Sequence, residues 1–177
     1  MKAQSSDMTT IDKAKAMIEG GWRIVPLQPK QKRPAHANWP EREFTSKDFR
    51  PNSGIGIVTG HGIVALDVDA YCEDVSAAIA AEAIRHFGDT LERVGEAPKT
   101  ALFYRGLDIK KRNIILKPTG KAPNYKQEKL EVLGNGQQIV AFGVHPDTGQ
   151  PYKWKDITPW DTVLGGVEDL LPEITQD

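Results

Sequence analysis

The chain has 177 residues, 39% of them apolar, enough for a single domain that buries roughly two thirds of its unfolded surface without staples. Its 23 Lys and Arg against 24 Asp and Glu leave a net charge of −1, which excludes a global basic field, so nucleic-acid contact would have to come from local patches. One cysteine, Cys72, excludes an internal disulfide, and with no N-terminal apolar segment and no long apolar run the reading is a cytoplasmic chain that is neither secreted nor membrane-spanning.

In chain order, residues 1–8 read as a frayed polar tail. "TTIDKAKAMIEGG" reads as a helix with a threonine cap, Asp12 in its first turn, an apolar face of Ile11, Ala14, Met17 and Ile18, and Gly20-Gly21 as its stop. "WRIVPL" reads as a strand, followed by the proline-rich basic loop "QPKQKRPAHANWP" and a short helical turn opened by Thr45-Ser46. "GIGIVTGHGIVALDVDA" reads as two strands joined at Gly60-His61-Gly62, and the spacing of Val75, Ala78, Ile79, Ala83 and Phe87 predicts a helix from about Asp74 to Phe87. This makes a strand-helix-strand unit. "LERVG" and "TALFYR" read as paired strands, Lys110 to Lys121 as a basic connection, and "KLEVLGNGQQIVAFGV" as a hairpin turning at Gly134-Asn135-Gly136. Residues 158–172 read as a C-terminal helix weakened by Gly165-Gly166. The order implies one mixed α+β domain over 1–177 with a central, largely antiparallel sheet flanked by helices.

Strand alternation puts Asp67 and Asp69 on one face with Ala65, and Val64, Leu66 and Val68 on the other. Two carboxylates on one face repel and raise each other's pKa unless a positive group lies between them. Hard divalent ions take such closely spaced acids; the alternative is a strand end emerging into solvent. Glu131 is a lone acid in a strand-like run, a ligand or a surface residue. The basic residues fall into three groups: Lys30, Lys32 and Arg33; Arg93, Lys99 and Arg105; and Lys110, Lys111, Arg112, Lys117 and Lys121. Each group is either a solvated face or an anion contact. Lys99, after Pro98 at a strand boundary, is placed to aim a point charge at a phosphate. His145 is a phosphate donor, a metal ligand or a turn residue. There is no GxxxxGK[ST], no paired CxxC and no HExxH, which excludes a P-loop ATPase and those zinc sites.

Three blocks in order, "GWRIVPLQPKQKRPAHANW", "SGIGIVTGHGIVALDVDA" and "KLEVLGNGQQIVAFGVHPDTGQPYKW", resemble the primase-polymerase (bifunctional DNA primase/polymerase N-terminal) domain of the archaeo-eukaryotic primase superfamily, phage and plasmid type. The resemblance runs from about Ala14 to Trp154. It implies an RRM-like catalytic core, with Asp67, Asp69 and Glu131 as catalytic metal ligands for magnesium or manganese. It also implies that basic side chains hold the triphosphate, the candidates being Lys99, His145, Lys32, Arg33 and Arg105. One departure stands out: the family's phosphate-contacting histidine is missing from "GEAPKTALFYR", where Ala101 falls near its position and Lys99 two residues before.

The resulting expectation is a metal-dependent nucleotidyltransferase that uses a single-stranded DNA template and nucleoside triphosphates, part of a replication protein with a helicase domain or partner. The alternatives are a catalytically inactive relative that binds DNA or nucleotide and, in third place, a metal-dependent phosphohydrolase.

Overall fold

The computed structural model describes residues 8–161 and 165–174. Its first helix, α1 (Thr10–Glu19), begins with a capping box in which Thr9 and Asp12 exchange hydrogen bonds. The buried face is rotated from the expected one: Ile11 is 38% exposed, whereas Thr10, Lys13, Ala14 and Met17 are buried. The rotation is stabilised by Lys13, whose ammonium donates to the Met8 carbonyl and lies 4.8 Å from the centre of the Phe142 ring. Met8 packs partly buried against the core, so it is not frayed; residues 1–7 of the expected tail lie outside the described residues.

Among the described residues nine strands follow the antiparallel α+β expectation, divided between two sheets. The smaller has β1 (Ile24–Leu27), β2 (Gly54–Thr59) and β8 (Gln137–Phe142) in the order β1-β2-β8. The larger has β3 (Ile63–Asp69), β4 (Glu92–Val94), β5 (Thr100–Arg105), β6 (Arg112–Ile115), β7 (Lys129–Leu133) and β9 (Lys153–Trp154) in the order β6-β7-β3-β5-β4-β9. The main core, including Ile57, Ile139, Ala65 and Phe103, lies between them. Helix α2 (Glu73–Phe87) covers the other face of the large sheet through Ala80 and Ala83 against Leu66, Leu102 and Tyr104. Its buried positions are Ser76, Ala80 and Ala83, so Ala78 and Phe87 of the expected face are exposed.

The expected hairpin at 134–136 is a correction. β7 pairs with β3 and β6, whereas β8 pairs with β2 in the other sheet. Both the β2–β3 and β7–β8 connections pass from one sheet to the other at a shared corner, where the Thr59 hydroxyl donates to the Gly134 carbonyl at 2.7 Å. The corner is too close for side chains: a Cβ on Gly134 would lie 1.8 Å from the Ile109 carbonyl oxygen, and one on Gly60 2.8 Å from Asn135 Cα.

Two further expectations change. The basic connection contains the exposed edge strand β6, and the expected helix over 158–172 reduces to α3 (Val167–Leu170), with 162–164 outside the described residues. Gly165 at φ +86° interrupts the helical path, and the Val167 N–H donates to the Gly20 carbonyl instead. Among the described residues no helix is long and apolar enough to cross a membrane.

Candidate metal centre

The face of β3 that carries Ala65 into the core carries Asp67 and Asp69 beyond it, where the sheets leave a pocket. Register then sets the neighbours. Asp67 pairs directly with Glu131 on β7, and Asp69 with Lys129. On its other side Asp67 pairs with Ala101 of β5, and Ala101 with Arg93 of β4. One transverse row therefore reads Glu131, Asp67, Ala101, Arg93, all on one face.

Oxygen atoms of Asp67, Asp69 and Glu131 lie within 4.8 Å of one another. Burial pushes the Asp67 pKa up, Arg93 opposes this, and the Asp69 and Glu131 charges add to the rise. Glu131, 9% exposed, is held by Lys129 at 2.8 Å and Lys111 at 3.5 Å, and Asp69 has Lys99 at 3.7 Å. Three converging, partly desolvated carboxylates fit a divalent cation: the ligands are hard oxygens, and a cation relieves their repulsion. Lys129, Lys111 and Lys99 also offset part of that repulsion.

The pocket beside the acids, about 120 Å³, is lined by Lys32, Arg93, Lys99, His145 and Tyr152 as well as Asp67 and Asp69. Lys99 bonds Glu96 at 2.8 Å and lies 4.1 Å from the centre of the Tyr71 ring. Burial alone would lower its pKa, but the hydrogen bonds to Glu96 and Tyr71 and the nearby Asp69 hold it up at about 12. The turn that carries it is tied to α2, since the Ser76 hydroxyl donates to the Pro98 carbonyl at 2.6 Å. His145, 3% exposed, accepts the Asp147 N–H at Nδ1, which leaves the proton of a neutral ring on Nε2. Burial, with Lys32 adding to it, pushes its pKa down.

Of the residues expected from sequence, Asp67, Asp69, Glu131, Lys99, His145 and Lys32 gather around this pocket. Arg33 and Arg105 do not. Arg33 is exposed in its loop and is absent from the pocket lining. Arg105 pairs with Ile63 at the end of β3 remote from Asp69, donates to the Leu171 carbonyl at 3.0 Å and lies 3.6 Å from Glu173. It borders a separate cavity of about 840 Å³ whose walls include Glu19, Glu168, Asp169 and Glu173. Those acids would repel a triphosphate.

Sequence reasoning missed Lys129 and Glu128, and grouped Arg93 and Lys111 only by charge. Lys129 was detectable: two residues before Glu131 on a strand means the same face. Glu128 accepts from the Tyr71 and Thr119 backbone N–H groups, pinning the ring beneath Lys99 to the 119–121 turn. Nothing local signals that.

The fold and site define a class: an antiparallel α+β domain with a carboxylate triad suited to a divalent cation, beside a pocket that Lys32, Arg93 and Lys99 line. A family model described as "Bifunctional DNA primase/polymerase, N-terminal" (Prim-Pol) matches residues 14–164, and the chain belongs to this family. No curated protein matches the chain.

Proposed function

We propose that this domain is a metal-dependent nucleotidyltransferase that copies a single-stranded DNA template from nucleoside triphosphates, as a DNA primase, a DNA polymerase or both. The observation that carries the reading is the direct pairing of Asp67 with Glu131, which joins Asp69 in one carboxylate group beside a pocket that Lys32, Arg93 and Lys99 line.

Asp67, Asp69 and Glu131 would hold magnesium or manganese. When bound, such ions activate the attacking 3′ oxygen and neutralise the leaving pyrophosphate. Lys99 carries positive charge at any physiological pH and faces the phosphates from the Asp69 side. His145 offers an Nε2 proton to a phosphate oxygen, and Lys32 adds charge at the pocket rim. The template's phosphates are taken by the exposed lysines and arginine around β6, within the cytoplasm of a phage- or plasmid-bearing cell. A helicase, in the same chain or as a partner, would supply the single strand.

One observation favours a second reading, a non-catalytic relative that binds DNA or nucleotide: Lys129, Lys111 and Lys99 already sit on the acids. Extension of a labelled primer on a template, with magnesium or manganese, separates the two. Extension that disappears in Asp69→Asn supports the enzyme; template binding without extension supports the non-catalytic relative. Release of inorganic phosphate from triphosphates without extension would instead indicate a phosphohydrolase.

A further inference from the structure

Arg93 differs from every other cation of the pocket. It is only 6% exposed, its Nε has no hydrogen-bond partner, and among the described residues no carboxylate oxygen lies within 4.0 Å of its guanidinium. A guanidinium carries five N–H donors, and burying it without an acceptor is costly. The backbone is nonetheless shaped to keep it there. Its Cζ lies 4.8 Å from the centre of the Tyr152 ring, and a Cβ on Gly95 would fall 2.4 Å from that ring and 3.1 Å from Arg93 Nη1. Ala101, the residue between Arg93 and Asp67 in the transverse row, has only a methyl group, so the long side chain has a clear path toward the acids.

Asp67 and Asp69 therefore act on Arg93 through charge rather than through a formed ion pair. Lys99 is already engaged by Glu96, Asp69 and the Tyr71 ring, and must give up those contacts to take a phosphate. Among the described residues Arg93 has no ion pair to give up, only its contact with the Tyr152 ring. An anion with two oxygens side by side, entering the pocket that Arg93 lines with Lys99 and His145, would satisfy the fork.

We propose that Arg93 is a phosphate receptor with two roles: it offsets the Asp67 charge when no cation lies among the acids, and it grips the polyphosphate of the incoming nucleotide when one does. The identity of that ligand rests on the nucleotidyltransfer reading. The other source of the same chemistry is a backbone phosphodiester of the nucleic acid; the position of Arg93 in a recess beside the acids, against the exposed β6 face, favours the nucleotide. Because Arg93 and a metal answer the same acids, removing the arginine acts in opposite directions on the two ligands. It weakens polyphosphate binding and strengthens binding of the metal alone.

Calorimetric titration of the full chain tests this with three separate probes: manganese alone, pyrophosphate alone in chelator, and a single-stranded oligothymidylate. Arg93→Gln is expected to weaken pyrophosphate about tenfold or more, to strengthen manganese severalfold, and to leave the oligonucleotide unchanged. Arg93→Lys keeps the charge and loses the fork, so pyrophosphate weakens severalfold while manganese stays as in the parent. If Arg93→Gln does not fold, Arg93→Lys alone decides. Unchanged pyrophosphate binding in the folded variants overturns the proposal. Loss of oligonucleotide binding instead would assign Arg93 to the nucleic-acid backbone and also overturn it, and equal weakening of manganese and pyrophosphate would reduce Arg93 to a structural residue. Primer extension by the parent, measured separately, keeps the two readings apart. Extension with pyrophosphate binding unmoved by Arg93→Gln defeats only the role of Arg93; the expected weakening of pyrophosphate in a parent that never extends defeats only the catalytic reading.

Discussion

Asp67 and Glu131 face each other across β3 and β7, yet their charges are held in different ways. Glu131 is clasped by Lys129 at 2.8 Å and Lys111 at 3.5 Å, while among the described residues Asp67 has no ion pair within 4.0 Å and its pKa is pushed up by burial. Neutralising the two should therefore move stability in opposite directions.

In chelator at pH 7, Asp67→Asn should raise the melting temperature by about 2–4 °C, since relief of about 1 kcal/mol corresponds to that shift in a chain of this size. A carboxyl with a raised folded pKa destabilises when ionised, so the gain should shrink as pH falls through that pKa and Asp67 is protonated in the fold. Glu131→Gln should lower the melting temperature slightly, because partly exposed lysine pairs contribute about 0–1 kcal/mol. Thermal melts from pH 4 to pH 8 check both, and a lower melting temperature for Asp67→Asn at pH 7 would contradict the account of its charge.

Lys99 and His145 should differ in how nucleotide binding depends on pH. Lys99→Ala should raise the nucleotide dissociation constant about tenfold at every pH from 6 to 9, because an amine held up at about 12 does not titrate there. Lys99→Arg should recover only part of the affinity. Burial holds the His145 imidazole neutral at pH 7, so the parent should gain affinity only as pH falls below its lowered pKa. His145→Ala should abolish that acid-side gain. Fluorescence titration of a labelled nucleotide distinguishes the two patterns.

Arg105, grouped by sequence with the triphosphate residues, should behave as a structural residue. Arg105→Ala removes its bond to the Leu171 carbonyl and its ion pair with Glu173, and should cost about 1–2 kcal/mol. Nucleotide affinity should be unchanged. A large rise in the nucleotide dissociation constant, without a stability change, would return Arg105 to the site.

The side chains of Lys110, Lys111 and Arg112 are exposed at the start of β6, where Lys111 reaches Glu131. Replacing all three with Gln should flatten the salt dependence of single-strand binding by about 0.7 in log–log slope for each backbone phosphate that is no longer neutralised. Anisotropy titrations over a salt series measure it. An unchanged slope would make them a solvated face.

These residues also show what was legible in the sequence. The alternation in "VALDVDA" put Asp67 and Asp69 on one face, and the structure divides that strand in the same way, Leu66 beneath α2 and Ala65 in the main core. The Thr9 cap and the β4–β5 pair were equally local signals. Gly134-Asn135-Gly136 misled because the same turn chemistry serves a hairpin and a corner, and only the partners of β7 and β8, far away in sequence, decide between them. β6 is exposed throughout and leaves no buried-and-exposed alternation to read. Arg93 was legible as a charge, but its place opposite Asp67 depends on the register of three strands.

The most direct measurement is the anomalous scattering of manganese in crystals soaked with the ion and a non-hydrolysable nucleoside triphosphate. A peak coordinated by Asp67, Asp69 and Glu131, with the triphosphate beside Lys99, is the expected result. Manganese held elsewhere, or no peak among these carboxylates at a concentration that supports primer extension, would contradict the assignment of the three acids as the metal centre.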